Sequence, residues 1–306
     1  MGKQKLEQQG WLTFAQNSDT VNYVNQAYLL ALSIKNTCTI NSFAVVVDTE
    51  SAKTITYKQR KVFDHIITVP RQENPFALEC SVFQLTPFKE TFKVESDMLI
   101  PRNLDHWWAG CRDHDVLLTS SVRDYQGRVS NNRYYRKFFD ANSLVDIYNG
   151  FMYIRYSHAS MGFFALAHDI MENWQHVSND VLNYNVYDIP DTDVIFGITA
   201  TIWNQGRSNL GNANATKEHE TNREDREDAL TKRPYNAISY PTFTHMKGAI
   251  NGWKPNMDWR DAVPWTLTNE LDLIVGGYAQ NYPFHYYQKD FCTEELIQRY
   301  EQNRTT

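Results

Sequence analysis

The run Ser42-Phe43-Ala44-Val45-Val46-Val47-Asp48 constrains the fold more than any other stretch of the chain. A strand that is apolar throughout, without alternation, is buried on both faces, and such strands belong to parallel sheets covered by helices. The residues before it agree. Trp11-Leu12-Thr13-Phe14-Ala15 reads as a first strand, and the polar turn Gln16 to Thr20 follows it. Val24, Ala27, Tyr28, Ala31 and Leu32 then recur at helical spacing between Tyr23 and Ile34. Strand, helix, strand is the opening of an α/β nucleotide-binding sheet. His65 to Pro70 extends that sheet, and Phe76 to Leu85 is expected to be a helix.

In such sheets ligands bind beyond the carboxyl ends of the strands. That places Ala15, Gln16, Asn17 and Asp48 as candidate contacts for a base and its ribose. Asp48 is equally well read as a helix cap or turn residue. Further along, Phe92 to Pro101 carries Glu95 and Asp97 two residues apart between apolar flanks. In an extended segment both side chains project from one face and can reach one cation. A divalent ion held by one or two carboxylates, with its other positions left to phosphate and water, is a common way to hold a nucleoside diphosphate. Without further support, an isolated Glu-x-Asp is a solvated strand end.

Leu104 to Trp108 is expected to be helical, and Asp115 to Ser120 and Tyr148 to Arg155 to be strands, the second entered through a turn at Asn149-Gly150. Ala159 to Val177 reads as one long amphipathic helix. Asp191 and Asp193 form a second i, i+2 pair just ahead of the apolar run Val194 to Ile202, where Asp191 and Thr192 also suit a helix cap. From Asn204 to Pro234 almost nothing is apolar. The expected organisation is therefore an α/β nucleotide-binding core over 1–203, a polar insertion or lid over 204–236, and a C-terminal part over 237–306 that completes the same domain. It closes with a helix over Thr293 to Gln302.

Composition excludes several classes. With 42% hydrophobic and 14% aromatic residues the chain has the means to bury a large core and is not a disordered one. A net charge of -6 supplies no global positive field to gather nucleic acid. The four cysteines are scattered with no C-x-x-C pair, against a zinc knuckle or disulfide scaffold. The N-terminus has no apolar signal region and no apolar run is long enough for a membrane segment, so a cytoplasmic location is expected. Oligomeric state is not legible.

Taken in order, the Asn-containing turn, Glu95-Ser96-Asp97, Asn149-Gly150-Phe151-Met152, Asp191-Thr192-Asp193 and Thr244-His245-Met246-Lys247-Gly248-Ala249-Ile250-Asn251-Gly252-Trp253 resemble the GT-A fold glycosyltransferases. They are similar in particular to the retaining family that includes glycogenin, galactinol synthase and bacterial lipopolysaccharide galactosyltransferases. The resemblance implies a mostly parallel α/β sheet flanked by helices and a sugar moved from a nucleoside diphosphate, UDP-linked, to a hydroxyl acceptor. It also implies Mn²⁺ or Mg²⁺ as cofactor, with Glu95, Asp97 and His245 as metal ligands. Glu95 would also touch the ribose. Asn149, Gly150, Gly248 and Lys254 would contact the donor, and Asp191, Asp193 and Lys247 would act in catalysis.

Three departures matter. Glu95 stands where the family usually has Asp, Thr192 replaces the Gln of Asp-Gln-Asp, and Asn251-Gly252-Trp253 replaces Lys-Pro-Trp. The missing Gln leaves open a module that binds nucleotide or glycan without turnover. The phrases Val122 to Gly127 and Phe151 to Arg155 are similar to tailed-bacteriophage glycosyltransferases, which implies DNA modification at a hydroxymethylated pyrimidine. A cell-surface glycan is the alternative acceptor.

Overall fold

A computed structural model describes residues 6–119, 123–127, 136–145, 147–185, 188–213, 236–238, 244–245, 264–286 and 291–303, with the side chains of 123–124, 136, 204–213, 236–238 and 244–245 outside the description. The chain opens with β1 (Glu7–Phe14), α1 (Tyr23–Thr37) and β2 (Phe43–Asp48). Every residue of β2 is buried, as its unbroken apolar run requires. Asn22 caps α1 by accepting from the Asn25 amide, and α1 buries most of its length against the sheet. Next come α2 (Thr49–Thr54), α3 (Tyr57–Arg60) and β3 (His65–Val69).

The stretch expected to be one helix from Phe76 is instead a 3-10 turn over Pro75–Ser81 followed by the short α4 (Val82–Leu85). Pro75 starts it and Asn74 caps it. After these lie β4 (Phe88–Val94), β5 (Met98–Leu99), α5 (Asp105–Cys111), β6 (Val116–Thr119), β7 (Arg123–Asp124), α6 (Arg136–Ala141) and β8 (Tyr148–Arg155). Then come α7 (His158–Glu172), α8 (Trp174–His176), α9 (Thr192–Ala213), β9 (Asn236–Ile238) and β10 (Thr244–His245). Short strands β11 (Trp265–Leu267), β12 (Leu273–Val275), β13 (Tyr278–Ala279) and β14 (Phe284–His285) precede a last helix, α10 (Glu294–Gln302).

The main sheet has the order β3-β2-β1-β4-β8-β6-β9. All its pairings are parallel except those of β8, which runs antiparallel to both β4 and β6. It is a mixed α/β structure with a mostly parallel central sheet flanked by helices. Two apolar layers cover it, one including α1 and α10 and the other α7 and α9. Trp11 anchors the first: it is fully buried, lies 5.1 Å from Phe92 and 5.8 Å from Trp108 between ring centroids, and donates its indole N–H to Ile40 at 2.7 Å.

Three further expectations are corrected. Asn149-Gly150 is no turn at the entrance of a strand but lies inside β8, where pairing with β6 jumps from Leu118↔Met152 to Thr119↔Tyr148 while pairing with β4 continues to Val94↔Phe151. The strand bulges there, a device common beside active sites. The amphipathic run from Ala159 is broken after Glu172, where α7 gives way to α8 and a π-turn over Val177–Val181. Finally, α9 runs to Ala213, past the boundary expected at 203; the rest of the polar insertion, 214–235, lies outside the described residues. Among the described residues the four cysteines are free thiols, and no helix is long and apolar enough to cross a membrane.

Candidate metal and donor site

The order β3-β2-β1-β4 reverses direction between β1 and β4: successive strands are laid down to one side of β1, then the chain crosses to the other. A crevice opens at such a switch point beyond the carboxyl ends. Glu95 and Asp97 follow directly on β4 and so stand at its rim. Ser96 and Asp97 form a tight turn into β5 rather than an extended segment, which corrects the geometry expected for the pair. The turn is pinned from several sides. Thr13 Oγ1 of β1 donates to the Val94 carbonyl at 2.8 Å, the Glu95 amide to Gly150 at 2.9 Å, and the Tyr286 amide to the Asp97 carbonyl at 3.2 Å.

The strand pairing that holds Tyr286 there also delivers an imidazole. β14 lies antiparallel to β5 with His285 opposite Met98, the residue after Asp97. His285 Nε2 sits 2.8 Å from Asp97 Oδ2, and Nδ1 lies 3.5 Å from Glu95 Oε2. One ligand atom from each of Glu95, Asp97 and His285 falls within 4.8 Å of the others. Asp97 and His285 are buried, and 28% of the Glu95 side chain remains accessible. Protein nevertheless encloses the Glu95 carboxylate closely enough that burial raises its pKa; His285 opposes that shift and Asp97 adds to it.

No local pattern announces His285. Its one sequence cue is a polar residue between Phe284 and Tyr286, both fully buried, in a stretch otherwise aromatic. A buried polar side chain demands a partner, and here the partner is 188 residues away. His245, the imidazole expected from the sequence, is on β10, which lies parallel to β14 with His245 opposite His285. Its side chain lies outside the described residues, as do Lys247, Gly248 and Lys254 entirely.

On the other side of β4, Lys93 is buried with its ammonium 2.7 Å from Glu79 Oε2 and 3.1 Å from the Asn149 carbonyl. Asn149 Nδ2 donates to that same Glu79 oxygen and to Thr192 Oγ1 at 2.8 Å, and the Asn149 amide donates to Asp193 Oδ1. The bulge in β8 is thus tied to the N-terminus of α9. Asn149 Oδ1 is buried with no hydrogen-bond partner among the described residues. Asp191 precedes α9 and accepts from the Asp193 amide at 2.7 Å, which is the capping role. Burial, with the neighbouring Asp193 carboxylate, pushes the Asp191 pKa up to about 8; Glu95 and Glu79 contribute in the same direction.

The candidate base and ribose contacts are engaged by protein groups outside their own set. Ala15 is buried in the turn after β1, Gln16 exchanges two hydrogen bonds with the Gln72 backbone, and Asn17 accepts from the Val24 amide at 3.0 Å while donating to Thr54. Asp48 is fully buried and caps α2, accepting from the amides of Glu50 and Ser51, from the Ser51 hydroxyl, and facing Arg71. Burial works against its ionisation, but those hydrogen bonds and the Arg71 guanidinium prevail and hold its pKa low. The capping role is the one its contacts fill. Gly150 is where a side chain has no room: a Cβ there would lie 2.4 Å from the Tyr148 ring.

No protein-family model and no curated protein sequence matches the chain. Among solved structures it is similar to mouse xyloside xylosyltransferase 1 in its apo form, with a TM-score of 0.42 and 10% identity over 62% of this chain and 80% of that one. It is also similar to the glycosyltransferase GlyE of Streptococcus pneumoniae TIGR4, with a TM-score of 0.40 and 10% identity over 67% of this chain and 50% of that one. Likeness at this level carries neither a site residue nor an activity across.

Proposed function

We propose that the chain is a GT-A-type glycosyltransferase that moves a sugar from a nucleoside diphosphate, UDP-linked, to a hydroxyl acceptor with a divalent cation bound at Glu95, Asp97 and His285. The observation that carries this reading is the convergence of those three side chains at the switch point of the sheet. The donor set fits the group: two carboxylates and an imidazole suit Mn²⁺ better than Mg²⁺, which prefers oxygen alone. Asp193, whose charge raises the Asp191 pKa, adds negative charge beside the cluster, which favours a cation further.

A bound divalent ion would neutralise the charge that gathers on the departing diphosphate. The chain's own groups then have distinct tasks. Asp193, held by the Asn149 amide, supplies negative charge against the developing oxocarbenium centre. Asp191, with its pKa pushed up to about 8, stays largely protonated at neutral pH and is suited to hold the acceptor's hydroxyl by a hydrogen bond. Asn149 Oδ1, buried and unpartnered among the described residues, is an acceptor ready for a donor-sugar hydroxyl. Lys247 or Lys254 remains the proposed cation for the leaving group, and His245, alongside His285 in the sheet, remains a proposed further imidazole ligand.

For the acceptor, the resemblance to phage enzymes makes a hydroxymethylated pyrimidine in DNA one candidate, against which the net charge of -6 weighs, and a cell-surface glycan the other. β7, in the phrase similar to phage enzymes, lies in the same small sheet as β14, with β10 between them, which puts that phrase on the side of the site where either acceptor would enter. Incubation with Mn²⁺, a panel of nucleotide sugars and each acceptor class tests the proposal by release of nucleoside diphosphate. Release should require acceptor and metal and be lost in Asp97→Asn while that variant stays folded. Full turnover in Asp97→Asn, or binding without release for every donor and acceptor, would refute it.

A further inference from the structure

Tyr148 opens β8 with its ring lying over Gly150, in space that any Cβ at 150 would fill. Its hydroxyl is hydrogen-bonded to His285 Nδ1 and lies 3.5 Å from Glu95 Oε2. Two of the three clustered groups therefore meet one phenol, and it meets the imidazole at the nitrogen turned away from Asp97. An ion shared with Asp97 must be bound through Nε2, whose lone pair then has to be bare. A neutral ring in that state carries its proton on Nδ1, and that N–H needs an acceptor. A phenol oxygen can accept from Nδ1–H while passing its own proton towards a carboxylate.

Resting on the metal-dependent reading above, we propose that Tyr148 is the positioning residue of the metal site. Its hydroxyl accepts from His285 Nδ1, donates to Glu95 Oε2, and so fixes which imidazole nitrogen faces the ion. No net proton is gained or lost in this arrangement. The absence of a side chain at position 150 is part of the device, because it gives the Tyr148 ring the place from which the hydroxyl reaches both partners. Gly150 thereby has a role different from close approach of the backbone to a ligand.

The test is Mn²⁺ binding to the intact, nucleotide-free protein, read from the electron paramagnetic resonance of free Mn²⁺, for the wild type and Tyr148→Phe. The substitution keeps the ring and removes only the hydroxyl. Loss of an orienting partner of this kind typically weakens metal affinity roughly 10- to 100-fold, and that loss is expected here with the metal-free melting transition still cooperative. Tyr148→Phe binding within twofold of a wild type that binds would overturn the positioning role and leave the metal reading standing. A wild type that does not bind Mn²⁺ would overturn both. Nitrogen-15 spectra of histidine-labelled wild type loaded with diamagnetic Zn²⁺ decide the matter independently of any variant's folding: His285 should be protonated at Nδ1 and metallated at Nε2, and the reverse assignment would overturn the proposal.

Discussion

Lys93 is the perturbation from which most can be worked out. Its side chain is 1% exposed and that of its partner Glu79 13%, so the pair is shielded from the screening that makes surface ion pairs weak. Lys93→Met removes the cation while filling similar volume. Glu79 then keeps Asn149 Nδ2 as a donor but loses its counter-charge, and the Asn149 carbonyl loses a donor as well. Breaking a buried pair from one side costs about 3–5 kcal/mol. Lys93→Met with Glu79→Gln removes both charges, and a buried pair replaced as a unit costs little or nothing, so the double variant should recover most of the loss. Urea denaturation of the wild type, both single variants and the double variant closes the cycle. A cost below about 1 kcal/mol for Lys93→Met, against the range for a buried pair, or a double variant no better than the sum of the singles, would refute the reasoning.

Two more predictions concern stability. The Asp191 carboxyl is held above its unfolded value, so its contribution to stability is fully present below about pH 4 and is lost as pH rises through about 8. Asp191→Asn keeps a good cap for α9 and escapes that loss; its advantage in melting temperature over the metal-free wild type should grow from pH 5 to 8 and then level off, and an advantage independent of pH would contradict this. Trp11→Ala should cost about 3–5 kcal/mol in chemical denaturation, the range for emptying a large buried aromatic site, and a loss near that of a surface substitution would mean that Trp11 is not the anchor its contacts with Phe92 and Trp108 make it.

Elements whose signals are local were legible. The apolar run of β2, the helical spacing in α1 and the strand Tyr148–Arg155 all express patterns that one segment contains by itself. What was not legible depends on partners elsewhere. Ser96 and Asp97 turn because β5 must pair with β14, and Asn149-Gly150 bulges because β8 answers to β4 on one edge and β6 on the other. The polar residues from Asn204 to Ala213 continue α9 although they lack the apolar spacing that marks a packed helix.

The same distinction runs through the site. Asp97 and Glu95 stood out because two carboxylates interrupt an apolar stretch. His285 did not, because its meaning comes from register across 188 residues rather than from its neighbours. Asp48 and Asp191 each admitted a ligand role and a capping role. The structure shows both capping, and leaves Asp191 with an elevated pKa that no pattern of residue types encodes.

The account turns on one cation at one place, and a crystal of the protein soaked with Mn²⁺ and UDP, measured at the manganese absorption edge, addresses it directly. The predicted result is one strong anomalous peak within ligating distance of Asp97 Oδ2 and His285 Nε2. A peak elsewhere, or nucleotide bound in the crevice with no metal beside Asp97, would contradict it.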